Sequence, residues 1–431
     1  MTTQTSVALC TDHYELTMLS AALRDGSADR RCVFEVFARR LPTGRRYGVV
    51  AGTARIIDAV ADFRFPADDL AFLRENGVVN DETAQWLADY RFSGDIDGYA
   101  EGELFFPGSP ILTVSGTFAE CVVLETFILS VLNHDCAIAA GAARMVTAAR
   151  GRRLIEMGSR RTHEEAAVAA ARSAYLAGFS STSNLAAGRR YGIPTAGTAA
   201  HAFTLLHDDE PAAFAAQVAV LGKGTTLLVD TYDISAGIRH AVEVAGPALG
   251  AIRIDSGDLS VLAGQSRELL DSLGATETKI IVSGDLDEYA IAALAAEPVD
   301  AYGAGTAVVV GSGAPTAGLV YKLVEVAGRP VVKRSENKAT VGGRKTAVRR
   351  HKPTGTAVEE VIGAGCVPEA KPGDRALQIP MVRGGAVVEG LPTLADARAL
   401  LRQNLISIPW EGLKLSAGDP AVPVTTIAGE C

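Results

Sequence analysis

Between residues 119 and 326 the sequence alternates between short apolar runs and longer amphipathic ones, and no other property limits the fold as much. The short runs predict strands over 153–157, 193–197, 226–229, 251–254, 280–282 and 299–302. The longer runs predict helices over 166–177, 211–220, 235–244, 260–273 and 287–296, after a first helix over 119–132. Strands that alternate with helices need crossover connections, and such connections make neighbouring strands parallel. The expected fold class is α/β: an irregular parallel α/β barrel. A second α/β domain would be built from both chain ends, with boundaries at 1–118, 119–326 and 327–431.

The flanking segments are mixed. Residues 11–23 predict a helix capped by Thr11 or Asp12, and 32–38 alternate as a strand does. Residues 54–63 and 66–75 read as helices, and 92–117 as short strands broken by Gly and Pro. Beyond residue 326 come strand-like pieces at 330–333, 346–350 and 386–388, then a helix over 394–404. The tail after Pro409 reads as loop.

Chemistry collects where the strands end. Met157 is followed by Gly158-Ser159-Arg160-Arg161-Thr162-His163, and Gly197 by Thr198-Ala199-Ala200-His201. Val229 leads into Asp230-Thr231-Tyr232-Asp233. Ile254, preceded by Arg253, leads into Asp255-Ser256-Gly257-Asp258. Val282 leads into Ser283-Gly284-Asp285-Leu286-Asp287, and Tyr302 into Gly303-Ala304-Gly305-Thr306. In a parallel α/β barrel the carboxyl ends of the strands converge on one face, where active sites sit. Loops are polar anyway, which accounts for the Gly and Ser residues. It accounts poorly for Arg253, Asp255 and His201, which abut apolar strands and are costly to bury unpaired.

Ser283-Gly284 and Gly303 to Thr306 have the make-up of anion cups. Glycine lets backbone N–H groups approach a phosphate, and a helix start adds its dipole. Asp285 and Glu288 are spaced for a capping box. Neither GxxxxGK[ST] nor an early GxGxxG is present, so P-loop and Rossmann readings are poor. His201 can act as base, ligand or nucleophile. Arg160 and Arg161 have the chemistry to hold a diphosphate.

Composition removes other classes. Hydrophobic residues make up 48% and charged residues 21% of 431, so extended disorder is excluded. A net charge of −9 argues against nucleic acid or an anionic membrane as the main partner. The amino-terminal residues have no basic, apolar leader pattern, which points to a cytoplasmic protein. Residues 301–321 carry no charge, but their glycines and Pro315 read as buried strand plus glycine loop rather than a membrane span. Six cysteines without a CxxC pair read as reduced buried thiols, with no zinc site.

Taken in order, several segments resemble the nicotinate phosphoribosyltransferases, members of the type II phosphoribosyltransferases. They are Thr11-Asp12-His13-Tyr14-Glu15-Leu16-Thr17-Met18, Gly158 to Arg161, Gly178-Phe179-Ser180-Ser181-Thr182-Ser183-Asn184 and Gly197 to His201. Asp230 to Asp233, Arg253 to Leu259 and Gly303 to Thr306 complete the set, which spans residues 11 to about 325. Two positions depart from the family pattern. Met157 replaces an aromatic residue, and Ala202 follows the histidine in place of serine.

The resemblance implies that nicotinate and phosphoribosyl diphosphate give nicotinate mononucleotide and diphosphate, with ATP hydrolysis coupled through a phosphohistidine at His201. It implies Mg²⁺ near Asp255 but no protein-only metal site. It also implies a homodimer in which Tyr14 reaches the partner's pyridine ring. Substrate contacts would fall on Tyr14, Arg160, Arg161, Ser181, Thr198, Arg253, Ser283, Gly284, Gly303, Gly305 and Thr306, with Asp255 beside His201 in catalysis. The absence of an acid near Ser181 to Asn184 favours a carboxylate substrate over nicotinamide. Two alternatives stay open: quinolinate phosphoribosyltransferase, and a phosphate-binding barrel lyase using Lys223 or Lys279.

Overall fold

The computed structural model describes residues 7–333 and 341–429. The chain divides into two compact units, Ile138–Pro315 and a unit made of Met1–Ala137 with Thr316–Cys431.

The Ile138–Pro315 unit is built on a six-stranded sheet. Its strands, in chain order, are β1 (Arg153–Glu156), β2 (Ser181–Thr182), β3 (Thr226–Leu228), β4 (Ala251–Ile254), β5 (Lys279–Gly284) and β6 (Ala301–Ala304). Every pairing is parallel, in the order β2-β1-β6-β5-β4-β3. The irregular parallel barrel expected is half a barrel, an open six-stranded parallel sheet. The stretch expected as a strand over 193–197 makes a single bridge, Thr195 to Thr182. Pro194 within it has no N–H to give to a ladder. Sequence also missed β2, whose two residues are too few to show a period.

Helices return the chain between strands, and their starts are fixed locally. Asn184, Asp209, Asp233, Asp258 and Asp287 each accept a backbone N–H of the helix that follows. A carboxylate or amide oxygen at this position satisfies a donor the helix cannot. The expected Asp285–Glu288 capping box does not form. Asp287 caps instead, and Glu288 accepts from Arg144 Nε at 2.8 Å and from the Ser312 hydroxyl.

The other unit holds a seven-stranded antiparallel sheet at whose centre Arg31–Ala38 pairs with Leu112–Thr117 and Leu319–Val326. A four-stranded sheet orders Arg375–Ala376, Lys345–His351, Ala357–Ala364 and Val424–Ala428. The last of these contradicts the expected loop after Pro409 and pairs parallel to Ala357–Ala364. Buried ion pairs lie between strands: Lys345 Nζ meets Glu35 at 2.6 Å, and Arg349 meets Glu103 and Glu360, both at 2.5 Å.

The expected boundaries also move. Residues 119–137 and 316–326 belong with the chain ends, because Leu319–Val326 pairs with Arg31–Ala38 and Ala317 donates to Asn133. The helix expected over 119–132 is two, Phe118–Val122 and Glu125–Ala148. The stretch Phe118–Ala148 is long and apolar enough to cross a membrane, but it is mostly buried in the protein, as a core helix is. Of the cysteines, Cys32, Cys121 and Cys136 are buried free thiols, and Cys10 is free but exposed. Cys366 is disulfide-bonded, against the all-reduced expectation, and Cys431 lies outside the described residues.

Candidate active site

Beyond the carboxyl ends of the parallel strands lies a cleft of about 580 Å³. Met157 to Arg161 contribute from the loop after β1, apart from Gly158, and Ser183 from the turn after β2. The stretch from Ala196 to Ala200 forms another side. Arg253 and Asp255 come from β4, Ser283 to Asp285 from β5, and Gly303, Gly305 and Thr306 from β6. Loops from five of the six strands therefore share one cavity, as strand polarity requires.

Three arginines give the cleft its character. Among the described residues, the side chains of Arg160, Arg161 and Arg253 have no hydrogen-bond or ion-pair partner. The Arg253 Nε is buried as well. Guanidinium groups held without protein carboxylates suit anionic ligands, and their planar fork suits two oxygens at once.

The glycines allow close approach. Gly284 has φ of +134°, which side chains rarely adopt, and it turns the chain just after Ser283. A Cβ on Gly303 would lie 2.7 Å from the Met157 sulfur. Met157 thus packs against the space that glycine leaves, where a flat ring was the pattern expected. The helices after these loops are short, Glu288–Ala293 and Thr306–Val309.

One carboxylate behind the cleft organises several of its neighbours. Asp230, at the end of β3, has a side chain only 1% exposed. Its Oδ1 lies 3.0 Å from His201 Nε2. Its Oδ2 accepts from the Asp255 N–H at 2.9 Å and the Ser256 hydroxyl at 2.7 Å. Asp255 in turn accepts from the Ser283 hydroxyl. The histidine is thereby joined through Asp230 to a residue of the cleft. With Nε2 engaged, Nδ1 is the nitrogen left for other chemistry.

The expected site residues separate into groups. Arg160, Arg161, Thr198, Arg253, Asp255, Ser283, Gly284, Gly303, Gly305 and Thr306 all line the cleft. His201 does not; it opens the helix His201–Leu205 directly after Ala200, which does, and its side chain is 39% exposed. Ser181 does not line it either. It is buried in β2 with its hydroxyl unpartnered, and Ser183 lines the cleft instead. Tyr14 belongs to the other unit, where it is half exposed. Burial, then the Glu125, Glu15 and Asp12 carboxylates, push its phenol up to about 12. Among the described residues no group of three or more His, Cys, Asp or Glu could hold a metal ion. Sequence reasoning quoted Asp230 without giving it a role; its place at a strand end, three residues before a capping aspartate, was the available signal.

Comparisons with known proteins show the family. Residues 9–133 match the model of the nicotinate phosphoribosyltransferase N-terminal domain. A nicotinate phosphoribosyltransferase of Mycobacterium tuberculosis is 62% identical over 98% of this chain and 96% of its own. One from Bacillus subtilis is 38% identical over 80% of this chain and 73% of its own. The crystal structure of human nicotinic acid phosphoribosyltransferase superposes with a TM-score of 0.84 at 28% identity, over 96% of this chain and 97% of that one. The chain belongs to the nicotinate phosphoribosyltransferase family.

Proposed function

We propose that this cleft transfers the phosphoribosyl group of phosphoribosyl diphosphate to the ring nitrogen of nicotinate, giving nicotinate mononucleotide and diphosphate, the entry of nicotinate into NAD synthesis. The observation that carries the reading is the set of three unpartnered arginines in a glycine-edged cleft. Both substrates are anions.

Each group has a task. Arg160, Arg161 and the loop N–H group at Gly305 hold the diphosphate, which gains negative charge as the ribose C1–O bond breaks. Arg253 takes the nicotinate carboxylate in its fork and aims the ring nitrogen at C1. Asp255, fixed by Ser283 and by Asp230, faces the ribose and its developing positive charge. Mg²⁺ would arrive with the diphosphate and neutralise part of its charge, with Asp255 and Asp285 as the cleft carboxylates near it.

ATP coupling is the finer part of the proposal. The γ-phosphoryl group of ATP passes to Nδ1 of His201 and releases ADP; water later takes it as phosphate. Asp230 supports the imidazole through Nε2 and stabilises its positive charge. Tyr14 would complete the partner's site in a homodimer, its neutral phenol presenting a ring face to the pyridine.

The lyase alternative needs a lysine at a strand end, and among the described residues no lysine lines the cleft. Lys279 opens β5 at the other end and pairs with Asp300 at 3.2 Å. The test is product formation from nicotinate, phosphoribosyl diphosphate and Mg²⁺, with and without ATP. Turnover of quinolinate or nicotinamide with no product from nicotinate overturns the assignment. His201→Asn is expected to abolish ATP stimulation; persistence of coupling in that variant removes the phosphohistidine role.

A further inference from the structure

The arginines of the cleft have no protein partner, so something else must set where their loop stands. Glu156, the last residue of β1, is 1% exposed and has no cationic partner among the described residues. One of its carboxylate oxygens accepts the Gly158 N–H, and the other accepts the Thr182 hydroxyl. The Thr182 oxygen accepts the Asn184 N–H at 3.0 Å, so its own hydrogen is committed to Glu156. The Glu156 carbonyl accepts the Ser183 N–H at 2.8 Å, and Asn184 Nδ2 donates to Ser159 Oγ at 3.1 Å. The backbone of Thr182 also bonds to Pro194 and Ala196, which lead to Thr198. At Gly158 a Cβ would overlap Val309 Cγ1 and lie 2.9 Å from both Glu156 Oε1 and the Gly305 carbonyl, so only glycine fits where Glu156 holds the loop.

A buried carboxylate beside an anion site, without a counter-ion, is costly for stability. Burial raises its pKa even though both hydrogen bonds favour the charged form. Such a cost is kept where geometry needs it. We infer that Glu156 is the positioning residue of this cleft: its carboxylate ties the 157–161 loop to the 181–184 turn and so fixes Arg160, Arg161 and Ser183. The inference rests on the proposed diphosphate role of that loop.

The test is steady-state kinetics on the full chain, with the KM for each substrate measured separately. Glu156→Gln loses one of the two acceptors, and Thr182→Val removes the hydroxyl at constant shape. Both are expected to raise the KM for phosphoribosyl diphosphate about tenfold or more, and the KM for nicotinate by less than about threefold. Thr182→Ser, which keeps the hydroxyl, is expected to recover most of the loss. A merely structural role would lower the melting temperature and the yield but leave both KM values alone. The inference is overturned if both variants keep a KM for phosphoribosyl diphosphate within about twofold of the native value. A double Arg160→Ala, Arg161→Ala variant separates the two layers. If it leaves that KM unchanged, the loop does not hold diphosphate. If it raises the KM while Glu156→Gln and Thr182→Val do not, only the clamp fails.

Discussion

Asp230 and Asp255 each begin a run of the form Asp-x-x-Asp, and the two members of each run do different work. The second members, Asp233 and Asp258, cap helices. The first members turn toward the site, and Asp230 alone organises three groups: His201, the Asp255 backbone and the Ser256 hydroxyl. Asp230→Asn keeps the shape but presents an NH₂ either to the imidazole or to two donors. If His201 carries the proposed phosphoryl group, this variant is expected to lower the ATP-stimulated rate about 10²- to 10⁴-fold, as an amide does in place of the aspartate beside a catalytic histidine. An ATP-stimulated rate near native would show that Asp230 does not support the histidine. Arg253, Asp255 and the glycines were legible because polar or flexible residues at the end of an apolar strand need a reason. Glu156 was not, since it reads as the polar end of a short strand. Nor was the burial of Ser181, because nothing in the sequence shows that its two-residue strand exists.

Elements with local causes were read nearly to their ends, and elements with distant causes were not. The helix expected over 235–244 is Ile234–Ala245, stopped by Gly246 and started by Asp233. The strand Val424–Ala428 went unread, because its pairing partner Ala357–Ala364 lies far back along the chain. Ala357–Ala364 also went unread, although it pairs with Lys345–His351 just before it. The strand Lys345–His351 looked polar, yet its Lys345 and Arg349 are buried and paired. Glu103 shows what that pairing does. Burial pushes its carboxyl up, but Arg349 and Arg375 more than offset this and hold it below 4.5. A depressed carboxyl contributes stability that is present above its ordinary value and lost as pH falls below it. Denaturant unfolding is therefore expected to show falling stability as pH drops below about 4.5. Arg349→Met should cost about 3–5 kcal/mol at neutral pH, because it leaves Glu103 and Glu360 buried without their main cation. It should also flatten the acid limb of the stability profile. A variant with native stability at neutral pH and an unchanged acid limb would mean that the arginine does not set the Glu103 pKa.

At the scale of the whole molecule, one unit is continuous in sequence and the other is closed by both ends of the chain. The alternation of strand and helix made the continuous unit visible, but its limits were placed too wide. A boundary inside the helix Glu125–Ala148 leaves no break in composition. The two-ended unit carries a consequence for dissection. A chain stopped after residue 318 removes one of the two partners of Arg31–Ala38 and one of the two partners of Asp95–Tyr99. It also removes Lys345 from Glu35, and Arg349 and Arg375 from Glu103. Unpaired buried carboxylates cost about 3–5 kcal/mol each, against a total stability of about 5–15 kcal/mol for a domain. The truncated chain is therefore expected to be insoluble or to lose residues 9–137 to limited proteolysis. Supplying residues 319–431 as a separate chain during expression should restore protection, since the missing pairs are non-covalent. Soluble yield and protease mapping of the fragment alone and with its complement measure this. A truncated chain that is soluble by itself, unfolds cooperatively and protects residues 9–137 would show that the amino-terminal part closes its core without the carboxyl-terminal strands.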